Sequence, residues 1–182
     1  MKKFLALAAA AVIALGASAQ NWYLGGSVVV GQEKVDGEKT TQINFMPEVG
    51  YNLSETLAIG TTVGVDYVKF DEVKSTLVNF NPYVRYTFLR AGIASFFCDG
   101  GVDLGFGKTK VADYSSDTAV TYGIGFKPGV ALTVSEKFGF VAHVGFLGYK
   151  GANDAAKEAG KPEVYGLSLN GNNLSIGFYY NF

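Results

Sequence analysis

Apolar side chains recur at every second position through one segment of this chain after another. In residues 43–51, "INFMPEVGY", one side of an extended strand carries Ile43, Phe45, Pro47, Val49 and Tyr51. The other side carries Asn44, Met46, Glu48 and Gly50. A period of two belongs to a β-strand with two different faces, whereas a helix repeats every ~3.6 residues. The segment is therefore predicted to be a strand with one apolar and one polar face.

Six further segments repeat this pattern. Their apolar faces are Leu57, Ile59, Thr61, Val63, Val65 and Tyr67; Val78, Phe80, Pro82, Val84, Tyr86 and Phe88; Phe96, Cys98, Val102, Leu104 and Phe106; Tyr122, Ile124, Phe126, Pro128, Val130 and Leu132; Phe138, Phe140, Ala142, Val144 and Phe146; and Leu174, Ile176, Phe178, Tyr180 and Phe182. With "WYLGGSVVVG" (22–31) in front, about eight long strands are predicted. Only "NDAAKEAGK" (153–161) has a helical pattern. A change of phase near 170–173 predicts a bend or bulge.

The first residues predict an exported protein. Lys2 and Lys3 precede an apolar run from Phe4 to Ala17 that closes with Ala17-Ser18-Ala19. This is the pattern of a secretory signal peptide, and the run is short for a membrane helix of ~20 residues. We therefore expect residues 1–19 to be removed and residues 20–182 to form one domain.

Composition excludes some classes of protein and supports the strands. The net charge of −1 argues against a nucleic-acid partner, since such proteins carry excess Lys and Arg. The single cysteine, Cys98, cannot form an internal disulfide. The 24 Gly, 14 Phe and 11 Tyr favour strands over helices.

The connections between strands fall into two sets. Short ones are "NLSET" (52–56), "LRAG" (89–92) and "SEK" (135–137), while "QEKVDGEKT" (32–40), "KTKVADYSSDT" (108–118) and "KGANDAAKEAGKPE" (150–163) are longer and charged. In a membrane barrel, short turns lie on the periplasmic side and long loops outside the cell. The alternation predicts a barrel with two unlike ends.

Alternation alone does not decide which face points inward. A lipocalin-like carrier would line its pocket with Phe45, Val63, Phe80 and Ile124, whereas a membrane barrel would turn them to lipid. The polar face favours the membrane barrel, because it is rich in Gly, Asn, Thr and Ser and poor in the Lys and Glu of a soluble surface. Aromatic residues near strand ends, as in interfacial girdles, favour it too; they are Tyr51, Tyr67, Phe88, Phe106, Tyr122, Phe138 and 178–182.

The "WYLGGS" opening strand, the alternating aromatic strands and the closing "LSIGFYYNF" resemble the small outer-membrane β-barrel proteins of Gram-negative bacteria, of the OmpA/OmpX type. The resemblance covers essentially the whole chain after residue 19. It implies an eight-stranded antiparallel up-and-down transmembrane barrel in the cell outer membrane, in contact with its lipid and with both termini in the periplasm. It further implies insertion by the barrel assembly machinery, which in that family reads a C-terminal strand ending in Phe. The assembly signal would comprise Phe178, Tyr180 and Phe182.

Charged residues on the polar faces predict a network in the barrel lumen. They are Glu48, Asp66, Arg85, Asp99, Asp103 and Lys127. Eight strands enclose a space that side chains can fill, and unpaired charges there are costly. We expect ion pairs that plug the barrel. The alternative is a narrow pore, which would favour cations because the acids outnumber the bases.

No pattern predicts an enzyme, a cofactor or a metal site. His143 is the only histidine, no Ser-His-Asp order or metal-ligand spacing surrounds it, and "HVG" has glycine where an H-x-S pair needs serine. Cys98 lies on the apolar face. The connections "KVDGEKTT" (34–41) and "NDAAKEAGKPE" (153–163) are the candidates for binding an extracellular ligand or host surface, and equally read as solvated loops.

Overall fold

A computed structural model describes residues 21–182 apart from 36–37, 71–72, 112–113, 116–117, 159–162 and 169–174. The strands are β1 (Trp22–Val35), β2 (Glu38–Asn52), β3 (Leu57–Phe70), β4 (Val73–Ala91), β5 (Ala94–Val111), β6 (Tyr114–Ser115), β7 (Ala119–Thr133), β8 (Phe138–His143), β9 (Phe146–Ala152), β10 (Val164–Ser168) and β11 (Ser175–Asn181). One short helix, α1, spans Asp154–Glu158, inside the segment with the helical pattern. Within these ranges no helix has both the length and the apolar character to cross a membrane.

These segments form a closed eight-stranded antiparallel β-barrel, which confirms the predicted fold. β1 to β5 and β7 are its first six strands. β7 pairs with β9 through its first half and with β8 through its second half, so β8 and β9 are two parts of the seventh strand. β11 and β10 pair with β8 and β9 and form the eighth strand. β1 pairs with β11 and closes the barrel.

The two ends of the barrel differ, but less than predicted. The short connections lie at 53–56, 92–93 and 134–137, as the sequence indicated. The predicted long loop at 32–40 is wrong, because β1 and β2 stay paired out to Val35↔Glu38. A charged sequence continues as a hairpin there because backbone hydrogen bonds do not depend on apolar side chains. The opposite end has connections at 36–37, 71–72, 112–118 and 153–163. We call it the long-connection end because of the last two.

The apolar faces point outward. Phe45, Val63, Phe80 and Ile124 are all exposed on the outer surface, Ile124 to 63%. The opposite parity points inward and contains the buried Glu48, Arg85 and Asp99. The lipocalin-like alternative is therefore wrong, since its four pocket residues do not line the interior.

Pro128 explains an irregularity in the seventh strand. Its carbonyl accepts a hydrogen bond from Val144 N at 2.9 Å, so its nitrogen, which has no hydrogen, faces the same strand. The register moves there by one residue, from Phe126↔Leu147 to Gly129↔His143, which defines a β-bulge. Phe146 consequently points inward and is only 5% exposed. Its predicted position on the apolar outer face is wrong.

The predicted irregularity at 170–173 lies outside the described residues. The residues on either side of it are Ser168, which pairs with Phe146, and Ser175, which pairs with His143. More residues therefore lie between Ser168 and Ser175 on the eighth strand than between their partners, Phe146 and His143, on the seventh. Pro47 and Pro82 leave the register of their strands continuous on either side.

Candidate functional site in the barrel lumen

A buried ion-pair cluster crosses the middle of the lumen. Arg85 of β4 lies directly opposite Asp99 of β5, and both point inward. Arg85 Nε and Nη2 each donate to one Asp99 oxygen at 2.7 Å. Nη2 also lies 3.4 Å from Glu48 Oε1 of β2. One guanidinium therefore binds Asp99 in a bidentate geometry that lysine cannot supply, and contacts Glu48 through Nη2 as well.

Tyrosine hydroxyls complete the hydrogen bonds of Glu48. Tyr179 donates to Glu48 Oε1 at 2.6 Å and accepts from Arg85 Nη2 at 2.9 Å. Tyr83 also donates to Glu48 Oε1, and its hydroxyl shares a 2.6 Å hydrogen bond with Tyr23. Among the described residues, no fully buried side-chain nitrogen or oxygen lacks a partner. The buried charges are therefore compensated by partners that together come from four strands, β2, β4, β5 and β11.

Aromatic rings surround the guanidinium. Arg85 Cζ lies 4.1 Å from the ring centroid of Phe97 and 5.1–5.2 Å from those of Tyr83 and Tyr179. These distances fit cation–π contacts, which gain strength when they are desolvated. Phe97 is only 1% exposed. We call Glu48, Arg85, Asp99 and the rings of Tyr23, Tyr83, Phe97 and Tyr179 the Arg85 layer.

Glycines make room for these rings. Each ring of the Arg85 layer lies opposite a glycine of a neighbouring strand: Tyr23 faces Gly50, Tyr83 faces Gly60, Phe97 faces Gly129 and Tyr179 faces Gly25. A Cβ at any of these glycines would overlap the ring. The small residues thus allow large rings to lie flat against the inner wall.

Two cavities lie on either side of the Arg85 layer. The upper cavity, of about 210 Å³, is lined by Glu48, Tyr83 and Asp99 and extends toward the long-connection end past Asp103 and Lys127. The lower cavity, of about 140 Å³, is lined by Tyr23, Arg85 and Phe97 and extends toward the short turns. The layer therefore lies between two spaces that open toward opposite ends of the barrel.

The six predicted lumen residues fall into three hydrogen-bonded groups. Glu48, Arg85 and Asp99 form the layer, and Lys127 Nζ donates to Asp103 Oδ1 at 2.6 Å. Asp66 instead accepts from two amides, Asn44 and, at 2.6 Å, Asn79. Amide donors satisfy this carboxylate where the sequence led us to expect a cation.

His143 lies in β8, which is part of the seventh strand, and it contacts the Arg85 layer. Its Nε2 lies 2.8 Å from Asp99 Oδ2, and its ring meets Phe97 edge-on at 5.3 Å. Among the described residues, no group of three or more His, Cys, Asp or Glu side chains is placed to hold a metal ion. His143 therefore contacts both a carboxylate and a ring of the Arg85 layer.

The last strand carries aromatic side chains on the outside of the barrel and one aromatic ring inside it. Phe178 and Tyr180 are exposed on the outer surface, whereas Tyr179 between them is in the layer. Phe182 is half-buried; its backbone N donates to Trp22 O at 3.2 Å, and Tyr180 packs edge-on at 5.1 Å. The three residues of the predicted assembly signal thus lie beside the closure of the barrel.

At the long-connection end, Asn153 organises the approach to α1. Its Oδ1 accepts from Ala156 N at 3.0 Å and Val120 N at 2.9 Å, and its Nδ2 donates to Thr118 O at 2.9 Å. Ala156 is fully buried against Ala119 and Ala152. Beyond the helix, Glu163 pairs with Lys157 at 3.0 Å, and this hydrogen bond raises the pKa of Lys157 above its usual value. Residues 153–158 are therefore fixed against the start of β7 and the end of β9.

Sequence reasoning missed the aromatic part of the layer. Tyr179 was predicted only as part of the aromatic girdle at 178–182, and alternation gives no sign that its ring, with those of Tyr23, Tyr83 and Phe97, surrounds Arg85. The available signal was an aromatic residue at inward parity, with a glycine opposite it in the neighbouring strand. Recognising such a pair requires the register between neighbouring strands, which the alternation within one strand does not provide.

The fold and the lumen define a class: a closed eight-stranded barrel with an apolar outer face and an interior of charged and aromatic side chains. The structure is similar to that of Neisserial surface protein A (NspA), with 14% identity and a TM-score of 0.52, over 88% of this chain and 97% of that one. A second solved structure, the translocator domain of autotransporter NalP from Neisseria meningitidis, is 10% identical with a TM-score of 0.41, over 96% of this chain and 93% of that one. No family model and no curated protein matches the sequence. At these identities, the likeness to Neisserial surface protein A shows the barrel fold.

Proposed function

We propose that the protein is an integral outer-membrane β-barrel, with its lumen closed by the Arg85 layer and a role in surface interaction at its long-connection end. The observation that carries the proposal is the apolar outer face. A soluble protein rarely exposes a contiguous apolar patch beyond a few hundred Å². Here each of the eight strands of the barrel contributes exposed aliphatic or aromatic side chains to the outside, an arrangement suited to a hydrocarbon solvent.

The test is fractionation of the protein expressed with residues 1–19 in a Gram-negative host. We expect it in the outer-membrane fraction, and unheated samples in detergent should migrate as a compact species that shifts on boiling. A soluble periplasmic protein whose migration does not change on heating would contradict the membrane assignment. Appearance of the mature protein beginning near Gln20 would support the predicted signal peptide.

Closure of the lumen is the second part of the proposal. The charged side chains of the Arg85 layer are buried and hydrogen-bonded, and the layer lies between the two cavities, which supports a barrier to ions. In planar bilayers we expect the purified protein to give no steady conductance. Replacing the rings by small side chains, as in Y83A/F97A, should join the cavities and create channels, with Y165A as an exposed control. Steady cation-selective conductance of the unaltered protein would favour the pore alternative.

Surface exposure of the long-connection end is supported by the charged segment around α1. Lys157 and Glu163 are exposed beyond the barrel wall. Trypsin added to intact cells should cleave after Lys157, and K157Q should abolish that cleavage without changing migration. Cleavage only in spheroplasts would place this end in the periplasm and contradict the proposed orientation.

We also propose that the protein is not an enzyme. This is supported by His143, whose Nε2 is bonded to Asp99 inside the layer. In outer membranes given radiolabelled phospholipid, the unaltered protein and H143A should show the same low turnover. Lipid modification that disappears in H143A would contradict the proposal.

A further inference from the structure

Three lysines lie side by side on the outer wall at the long-connection end. The register of β3, β4 and β5 places Lys69 opposite Lys74, and Lys74 opposite Lys110. All three side chains are exposed. They share the parity of Val65 and Val78, which are exposed on the outer surface, so they point away from the lumen. We call Lys69, Lys74 and Lys110 the lysine row.

The lysine row concentrates positive charge. Neighbouring strands are about 4.8 Å apart, so three charges fall within about 10 Å across the wall. Like charges directly opposite each other on a sheet are destabilising. Of the ion pairs between described residues, none includes a member of the row. The acidic residues of the same hairpins, Asp71, Glu72 and Asp113, belong to the connections rather than to the paired strands. An anion bound along the row would relieve the repulsion.

The outer wall becomes apolar below the lysine row. One step of two residues toward the middle of the barrel, the opposed residues are Tyr67, Thr76 and Lys108. One step further they are Val65, Val78 and Phe106, which are 42–51% exposed. Two steps along a strand span about 14 Å, or roughly 10 Å along the barrel axis for strands tilted by about 40°.

This profile matches one leaflet of a bilayer. The headgroup region adds about 5–8 Å to each side of the hydrocarbon core. A lysine has a long flexible stem, so its ammonium group reaches the headgroups of lipids whose chains lie against the apolar side chains below. The lysine row and the apolar wall can therefore contact the same lipid molecule.

The number of charges determines which lipid fits. A zwitterionic headgroup has no net charge, and one phosphate neutralises only part of a row of three lysines. Two phosphates on one lipid complement the row better, because each can accept charge-assisted hydrogen bonds from neighbouring ammonium groups. Lys108, one step below, adds a fourth exposed cation on the same side of the barrel.

We propose that the lysine row binds a lipid with two phosphates in the membrane leaflet at the long-connection end. The phosphates lie along the row, and the acyl chains lie against Val65, Val78 and Phe106. This inference rests on the proposed membrane location and names a partner for the outer wall, whereas the proposed function concerns the connections above it.

The two-phosphate headgroup is tested by native mass spectrometry of the folded protein in detergent micelles. The probe is diphosphoryl lipid A, and the comparator is monophosphoryl lipid A with the same acyl chains. We expect the diphosphoryl form to bind at least about fivefold more tightly, the effect of one lysine contact at a charged lipid surface. Equal affinities would overturn the two-phosphate assignment.

The lysine row is tested with K69Q/K74Q/K110Q. Diphosphoryl lipid A should bind this variant about a hundredfold more weakly, at about fivefold for each lysine. The matched control R90Q/K137Q/K157Q removes the same number of charges from exposed positions elsewhere and should bind like the unaltered protein. If the acidic residues of the connections already neutralise the row, the row variant will bind as tightly as the control, and that result would overturn the proposal.

Unfolding distinguishes binding from a structural role of the lysines. In phosphatidylcholine vesicles, K69Q/K74Q/K110Q should unfold at the same urea concentration as the unaltered protein or at a higher one, because repulsion has been removed. Adding diphosphoryl lipid A should raise the midpoint of the unaltered protein and of the control variant but not that of the row variant. An equal rise in all three would overturn the assignment to the row.

A soluble competitor tests the contribution of the acyl chains. Inorganic diphosphate, added at the concentration of the lipid, should displace little of it, because it lacks the contacts with the apolar wall. Complete displacement would show a site for free phosphates and overturn the lipid assignment. Heat-modifiable migration of every variant is measured in parallel. Failure to enter the outer membrane would contradict the proposed function, whereas an inserted protein with equal affinity for both lipids would contradict only this inference.

Discussion

Arg85 stabilises two carboxylates that would otherwise repel each other. Glu48 and Asp99 are both buried, and each is bonded to the same guanidinium. Buried ion pairs contribute little net stability, because desolvation offsets their attraction, but removing one partner leaves an uncompensated charge. The layer is therefore sensitive to single substitutions and tolerant of joint ones.

Replacing Arg85 alone should destabilise the barrel strongly. For R85A we expect a loss of about 3–5 kcal/mol in unfolding free energy, the typical cost of breaking one buried pair. The measurement is reversible urea unfolding in lipid vesicles, followed by tryptophan fluorescence.

The triple variant E48Q/R85M/D99N is the matched control for R85A. It removes all three charges and should recover most of the lost stability, because no buried charge remains unpaired. If R85A is as stable as the unaltered protein, the layer is more hydrated than the structure indicates.

At the level of the strand, one residue decides which way a whole segment points. The bulge opposite Pro128 reverses the parity between Val144, which is exposed, and Phe146, which is buried. Strict alternation through 138–146 correctly predicted Phe140 and Val144 and failed at Phe146. Pro128 inside a strand indicated where the alternation could fail, but not which way the following side chains would point.

This parity change is tested by V144C and F146C, each in a C98S background. In vesicles, a lipid-soluble maleimide should label V144C rapidly and F146C slowly. Equal labelling of the two cysteines would show that the strand runs without a bulge. V141C, at inward parity before the bulge, should behave like F146C.

Phe182 tests the predicted assembly signal in the last strand. A charge on the lipid face costs about 2–4 kcal/mol at the midplane and less near the interface. We expect F182D to lower the amount of folded protein in the outer membrane more than that cost implies, whereas F182L should be close to normal. Quantitative blotting of heated and unheated membranes measures both; normal levels of F182D would contradict the assembly role.

Asn153 tests the order of the connection around α1. N153A removes the cap of the helix and two bonds to the β7 side, so about 0.5–2 kcal/mol of local stability should be lost. Proteolysis after Lys157 on intact cells should become faster while heat-modifiable migration stays unchanged. N153D, which keeps the accepting oxygen, should lie between the two; equal cleavage rates in all three proteins would argue against the cap.

For the molecule as a whole, the sequence predicted the strand number, the inward and outward faces and the short turns. The strand number and the two faces of each strand follow from local alternation, which a single strand displays by itself, whereas the composition of the polar face indicated which face points inward. The sequence did not predict the register, and therefore missed the partners of Asp66, the bulge at Pro128 and the rings of the Arg85 layer. Those features depend on which residues become neighbours across strands.

The Arg85 layer joins parts of the chain that are far apart in sequence. The Tyr179 hydroxyl and Glu48 are 131 residues apart, and Arg85 and Tyr179 are 94 apart. Because these bonds need the last strand beside the first ones, we expect them to form late in folding. Weakening the layer should therefore leave the folding rate almost unchanged and accelerate unfolding. The side chains in the lumen would then determine how long a folded barrel lasts, whereas the pairing of the strands determines how quickly it forms.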